Sequence, residues 1–176
     1  SYNNMFIYLL LFPIVIYFFS LIFFLYGLKK IKYIQSTSKS NKAVSVILCV
    51  RDGECSLPNI LENFCNQKYN GKLEFIIVDD ESTDNTSQII LNYAERDKRI
   101  KYINSNIDKS NLKHKKKALN AGINASNNEY LLFTDVDCRV HDHWVQGMMD
   151  NYNSNDYVIG YSEVPISKTI VSKFQN

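Results

Sequence analysis

Three hydrophobic patterns follow one another along the chain: an unbroken apolar run over 5–28, a small and polar stretch over 29–42, and then short apolar runs alternating with stripes of helical period. The short runs, Val44–Val50, 73–78, 101–104, Tyr130–Thr134 and 157–160, have the length and continuity of strands buried on both faces. Between them, 56–67 repeats Leu57, Ile60, Leu61, Phe64 and Cys65 on one helical face, and 84–95 opens on Asp84, a good N-cap, before Ile89, Ile90, Tyr93 and Ala94. A third stripe over 117–125 carries Leu119, Gly122 and Ile123, and a shorter helix is predicted over 142–152. Strands alternating with helices predict an α/β fold with a mostly parallel sheet and helices on both faces. In such sheets ligands bind beyond the carboxyl ends of the strands.

The run over 5–28, MFIYLLLFPIVIYFFSLIFFLYGL, holds no charge, and roughly 24 helical residues at about 1.5 Å each would cross a hydrocarbon core about 30 Å thick. Pro13 is tolerated in such a helix. A cleaved signal peptide would need a basic stretch before the run and a small-residue cleavage site after it; instead Lys29, Lys30 and Lys32 follow the run. The expectation is a single-pass signal anchor in the inner (cell) membrane, a basic and polar linker over 29–42, and a cytoplasmic domain over 43–176.

Overall charge adds little. Among 176 residues 22% are charged and the net charge is only +2, so no nucleic-acid partner is expected and binding chemistry has to be sought in local clusters. Cys49, Cys55, Cys65 and Cys138 lack CxxC spacing and read as reduced thiols.

The local clusters stand at the strand ends. The first strand runs into Arg51, Asp52, Gly53 and Glu54, the second into Asp79, Asp80, Glu81, Ser82, Thr83 and Asp84, and the fourth into Asp135, Val136 and Asp137. So many carboxylates repel one another unless a cation or positively charged group lies between them, and Asp135 with Asp137 could serve a ribose and a hard divalent ion such as Mg2+ or Mn2+. A strand entering an acidic turn is the competing reading of the DxD, and turn or capping chemistry that of Asp80 to Asp84. The basic cluster Lys113, His114, Lys115, Lys116 and Lys117 is either a solvated face or the place where a lysine meets a diphosphate at a helix N-terminus.

From Val44 onward, VSVILCVRDGE, FIIVDDESTDNT and KKKALNAGINASNNEYLLFTDVDC together resemble inverting family 2 glycosyltransferases of the GT-A fold. The resemblance implies transfer of a sugar from a nucleotide-sugar donor, commonly a UDP-sugar, to a glycan or lipid-linked acceptor, with Mg2+ or Mn2+ as cofactor. Carried over residue by residue, it implies that Val50, Asp52 and Glu54 line the nucleotide pocket and that Asp80 holds the base. Lys115 approaches the diphosphate, Asp135 contacts ribose and Asp137 binds the metal. The anchor resembles that of bacterial members that build cell-surface polysaccharide.

The pattern departs from the family at His114, where glycine is common, and at Asp52-Gly53, where Asn-Glu is common. No Arg-Trp pair follows the DxD, Trp144 belongs to the next helix, and the general base is expected beyond residue 176, so the chain is expected to hold the donor and metal site of a GT-A fold without its C-terminal part. Two other readings stand beside this one. A membrane-tethered pseudo-enzyme or partner subunit would bind nucleotide without chemistry. A haloacid-dehalogenase-like phosphohydrolase would use Asp135 of LLFTDVDCRV as nucleophile and Asp137 as acid.

Overall fold

A computed structural model describes residues 2–30, 39–152 and 158–160, and the side chains described in the first stretch are those of 11–27. The chain divides into two compact units, 1–35 and 36–176.

The first unit holds one helix, α1 (Tyr2–Lys30), which contains Pro13. Its described side chains are exposed all round, from Leu11 and Phe12 to Leu25 and Tyr26. Among the described residues no helix is long and apolar enough to cross a membrane. The spanning helix expected over 5–28 is therefore not found among them.

The second unit runs β1 (Val44–Val50), α2 (Leu57–Cys65), β2 (Leu73–Asp79), α3 (Thr86–Arg96), β3 (Ile100–Asn104), a 3-10 turn over Ser105–Ile107, α4 (Lys115–Ala125), β4 (Tyr130–Thr134) and α5 (Trp144–Tyr152). The four strands form one sheet in the order β3-β2-β1-β4. Every pairing is parallel, with Val50 opposite Asp79 and Leu48 opposite Thr134. Strand order reverses between β1 and β4, which puts the ligand crevice of an open parallel sheet at their carboxyl ends. Of the strand predicted over 157–160, Tyr157 lies outside the described residues and 158–160 is irregular.

Side chains alternate across a strand, so β1 feeds both faces. Val44, Val46, Leu48 and Val50 join Leu57, Ile60, Leu61, Phe64, Phe75, Ile77 and Ile90 in one core under α2 and α3, with Val145 and Met149 of α5. Phe64 stacks on Phe75 at 4.4 Å between centroids. Truncating either ring would cost about 3–5 kcal/mol. The opposite face carries Ile47, Ile76 and Val78 against Ala118 and Ala121 of α4.

That second face corrects the stripe expected on α4. Ala118, Ala121 and Gly122 are the residues turned inward, while Ile123 is 40% exposed. A Cβ at Gly122 would stand 2.7 Å from Ile47 Cγ2 and 3.0 Å from Val78 Cγ2, so the helix lies too close to the sheet for larger residues. Close approach selects small side chains, which a hydrophobic stripe cannot reveal.

Turn and cap chemistry sets the helix ends. The Gly53 carbonyl accepts from the Ser56 and Leu57 N–H groups at the start of α2. At its other end the Arg99 guanidinium, held by Asp97, donates to the carbonyls of Cys65 and Gln67. These contacts satisfy carbonyls that a helix end leaves without partners. Asp84 does serve α3, its Oδ1 accepting from the Thr86 N–H at 3.0 Å, although the helix proper starts at Thr86.

Candidate functional site

Three strand ends define the carboxyl edge of the sheet. Continuing the pairing beyond Leu48 and Thr134 sets Asp135 level with Cys49, and continuing it beyond Val50 and Asp79 sets Asp80 level with Arg51. Neighbouring strands lie about 4.8 Å apart, so these groups share one small crevice. Electrostatics agrees with that placement. Burial pushes the Cys49 thiol up to about 12, Lys115 pulls it down, and Asp80 and Asp135 push it up. All three charges therefore act on Cys49 near the point where strand order reverses.

Lys115 opens α4 and its Nζ lies 2.6 Å from Asp135 Oδ1, both side chains being largely exposed. The hydrogen bond to Asp135 raises the Lys115 pKa, with smaller contributions from Cys49 and Asp137. An ion pair this exposed contributes at most about 1 kcal/mol to stability, so a phosphate could replace the carboxylate at little cost. Asp137 is exposed, and neither it nor the Asp80 carboxylate makes a hydrogen bond or ion pair among the described residues.

Asp52 and Glu54 sit differently. The Asp52 Oδ1 accepts from the Thr83 N–H at 2.7 Å and from the Thr83 hydroxyl at 3.1 Å. Glu54 accepts from the Asn85 N–H at 3.3 Å and from Asn85 Nδ2 at 3.0 Å. Both carboxylates are thus occupied with the loop that follows β2. Val50 does not line the crevice with its side chain at all, being 2% exposed in the core beneath α2. It shares a strand face with Val46 and Leu48, and its contribution at the edge is its carbonyl, which accepts from the Asp80 N–H at 2.8 Å.

Asp79, just before Asp80, was open to no clear role in the sequence and proves structural. It is 1% exposed, and burial, which pushes its pKa up, is outweighed by hydrogen bonds from Ser82, Ser87 and Tyr102 that hold it below the usual range. Those bonds tie the end of β2 to α3 and β3, at 2.9 Å to the Ser82 N–H and 2.6 Å to the Ser87 hydroxyl.

His114 precedes Lys115 with φ 52° and ψ −141°, a backbone region that favours glycine. Its carbonyl takes the Lys117 N–H at 2.8 Å, so the strained residue turns the chain into α4. The glycine common in family 2 at this position has its physical reason here. Lys117 is drawn away from the crevice toward Asn106 Oδ1 at 2.7 Å and Glu81 Oε1 at 3.4 Å. Lys113, His114 and Lys116 are exposed, as a solvated face would be.

A separate hollow of about 360 Å3, lined by Asn59, Glu62, Asn63, Arg139, Val140 and His141, lies beside α2 and shares no residue with the strand-end edge.

Residues 45–171 match the family described as Glycosyl transferase family 2. The chain belongs to glycosyl transferase family 2. It is 27% identical over 128 residues to an uncharacterized glycosyltransferase of Haemophilus influenzae, covering 71% of this chain and 38% of that protein. It is 24% identical over 145 residues to a poly-beta-1,6-N-acetyl-D-glucosamine synthase of Staphylococcus epidermidis, covering 81% of this chain and 34% of that one. The fold matches a mannosyltransferase of Pyrobaculum calidifontis, solved in complex with GDP-Man and Mn2+, with a TM-score of 0.62 and 20% identity over 77% of this chain and 40% of that one. The parallel sheet is thus that of GT-A enzymes. The chain spans little more than a third of the length of the curated relatives it matches. Membership in family 2 leaves the phosphohydrolase reading without support.

Proposed function

We propose that this chain carries the donor and metal site of an inverting glycosyltransferase that moves a sugar from a nucleotide-sugar to a glycan or lipid-linked acceptor in cell-surface polysaccharide synthesis. The observation that carries the reading is the crevice between β1 and β4 of a family 2 domain, where Asp80 and Asp137 have no partner among the described residues and stand beside an exposed Lys115–Asp135 pair. UDP is the donor nucleotide favoured by the resemblance, with GDP the rival because a neighbour in fold was solved with GDP-Man.

In this reading Lys115 leaves Asp135 for a phosphate oxygen, forming a charge-assisted hydrogen bond at the start of α4. Asp135 is then free to accept from a ribose hydroxyl, and Asp80 to accept from an N–H of the base. Among the described residues no group of three His, Cys, Asp or Glu side chains could hold a metal alone. Asp137, with Asp135 nearby in sequence, instead fits a hard cation such as Mg2+ or Mn2+ that completes its oxygen shell from diphosphate and water. Such an ion, when bound, stabilises the charge of the departing diphosphate. The general base is assigned to none of the described residues.

Titration of the full chain in detergent with UDP and with GDP, each with and without Mn2+, tests the reading by calorimetry. Expected is metal-dependent binding of one nucleotide that is lost in Asp137→Ala; binding of neither, in a sample folded by circular dichroism, removes the donor site. Binding without sugar transfer in the whole protein would favour the pseudo-enzyme or partner-subunit reading.

We also assign α1 as a single-pass anchor of the cell membrane with the domain on the cytoplasmic side. The charge-free run over 5–28, followed by Lys29, Lys30 and Lys32, supports this. Resistance to carbonate extraction is the expected behaviour, and release of the chain into the supernatant would refute it.

A further inference from the structure

Loop 51–56 after β1 is joined to loop 80–85 after β2 and to Thr86, the first residue of α3, by seven hydrogen bonds. Four are made by the Asp52 and Glu54 carboxylates with Thr83 and Asn85. The other three run from backbone N–H groups of the first loop to side chains of the second: Asp52 to Ser82 Oγ at 2.9 Å, Gly53 to Thr86 Oγ1 at 2.8 Å and Glu54 to Asp84 Oδ2 at 3.0 Å. Each side supplies both donors and acceptors.

Two residues of this clasp are held in a backbone region that L residues avoid, Asp52 at φ 49° and Glu81 at φ 59°. Conformations of this kind persist only where surrounding contacts over-determine them. Gly53 is as constrained for a different reason: a Cβ there would collide with Val50 Cγ2. At the centre, Thr86 is fully buried although polar, its hydroxyl oxygen engaged by Gly53. Asp80 immediately precedes Glu81, and its carboxylate has no hydrogen bond or ion pair among the described residues.

We infer that Asp52 and Glu54 are positioning residues, acting on the nucleotide through the β2 loop by clamping it so that Asp80 stands ready, and not by touching the nucleotide themselves. This deepens the donor-site reading and rests on it. Asp80 and Asp137 have no partner among the described residues and Asp135 is held only by the exposed Lys115, whereas Asp52 and Glu54 are engaged by backbone N–H groups of the facing loop. The acceptor geometry, more than the charge, is what the clasp requires, because an amide oxygen at position 52 can still accept from both Thr83 groups.

The test uses the full chain and two readouts. Amide hydrogen exchange without ligand should show faster exchange at Thr83 and Asn85 in Asp52→Ala and Glu54→Ala, with protection largely restored in Asp52→Asn. Affinity for UDP or GDP with Mn2+ should fall about tenfold or more in Asp52→Ala, and Asp52→Asn should recover most of that loss. Asn85→Ala should reproduce part of the Glu54→Ala effect, and the double variant should lose less than the product of the two. Equal loss in Asp52→Asn and Asp52→Ala, with Thr83 exchange unchanged in both, would make Asp52 a direct ligand and overturn the inference. Wild-type chain that binds neither nucleotide would instead overturn the donor-site reading, and the exchange data would still decide whether the clasp exists.

Discussion

Glu74 and Asp80, six residues apart at opposite ends of β2, show two uses of a carboxylate. Glu74, at the amino end, is 5% exposed and accepts from the Ser45 hydroxyl, Lys101 Nζ, the Asn127 N–H and Asn127 Nδ2 at 2.6 to 3.1 Å. Burial pushes its pKa up, but the bonds from Lys101, Ser45 and Asn127 outweigh it and bring the value to about 2. Asp80, past the carboxyl end, has no such partners. A fully satisfied buried carboxylate joins β1, β2, β3 and the turn before β4, while at the other edge the Asp80 carboxylate has no hydrogen bond or ion pair among the described residues. With the donor site proposed above, stability and binding are divided between the two edges of one sheet.

The largest effect should come from breaking the satisfied edge. Glu74→Ala strips Ser45, Asn127 and Lys101 of their acceptor and should destabilise the domain by about 3–5 kcal/mol in urea unfolding, the range for removing one partner of a buried ion pair. Acid should reach the same group more gently. Because the folded pKa lies below the unfolded one, Glu74 contributes fully above about pH 4.5, and on the order of 3 kcal/mol is lost as the pH falls toward 2. Glu74→Gln should flatten that part of the stability profile.

At the open edge the pattern should invert. Asp137→Ala should change stability by no more than about 0.5 kcal/mol, as at other exposed sites, while abolishing metal-dependent nucleotide binding in calorimetry. Lys115→Ala gives up an exposed pair of about 0.5 kcal/mol, yet should weaken diphosphate binding about tenfold. If either variant unfolded the domain as Glu74→Ala does, the division between the edges would fail. The smallest effect is expected at His114→Gly, which relieves a positive φ and should raise stability by about 0.5–1 kcal/mol after the flexibility glycine adds to the unfolded chain.

Periodicity located the four strands of the sheet and the helices between them, but 158–160, predicted as part of a strand, is irregular. The bounds of Val44–Val50 and Tyr130–Thr134 are those expected, and 73–78 and 101–104 each gain one residue. Buried parallel strands are continuous apolar runs because both faces are covered, which makes them legible without partners. The α4 stripe was misjudged by one position, since close packing on Ile47 and Val78 rewards small residues over Leu119 and Ile123.

At the site, residue types and strand-end positions marked the acidic edge, but could not separate its members. Val50 was assigned to the pocket from its place in the motif, and strand alternation turns its side chain into the core. Asp52, Glu54 and Asp80 looked alike in sequence, and Ser82, Asn85 and Thr86 looked like ordinary turn residues. Composition can say that carboxylates crowd one edge; which of them find donors depends on loops 30 residues apart meeting in space.

The sequence by itself determined the alternation of strands and helices, the parallel sheet and the family, because hydrophobic period and short motifs are local properties of the chain. Only the tertiary structure decided which acids are satisfied and which are open. Hydrogen-bond partnership is a matter of a few tenths of an ångström between distant residues, and no local pattern encodes it.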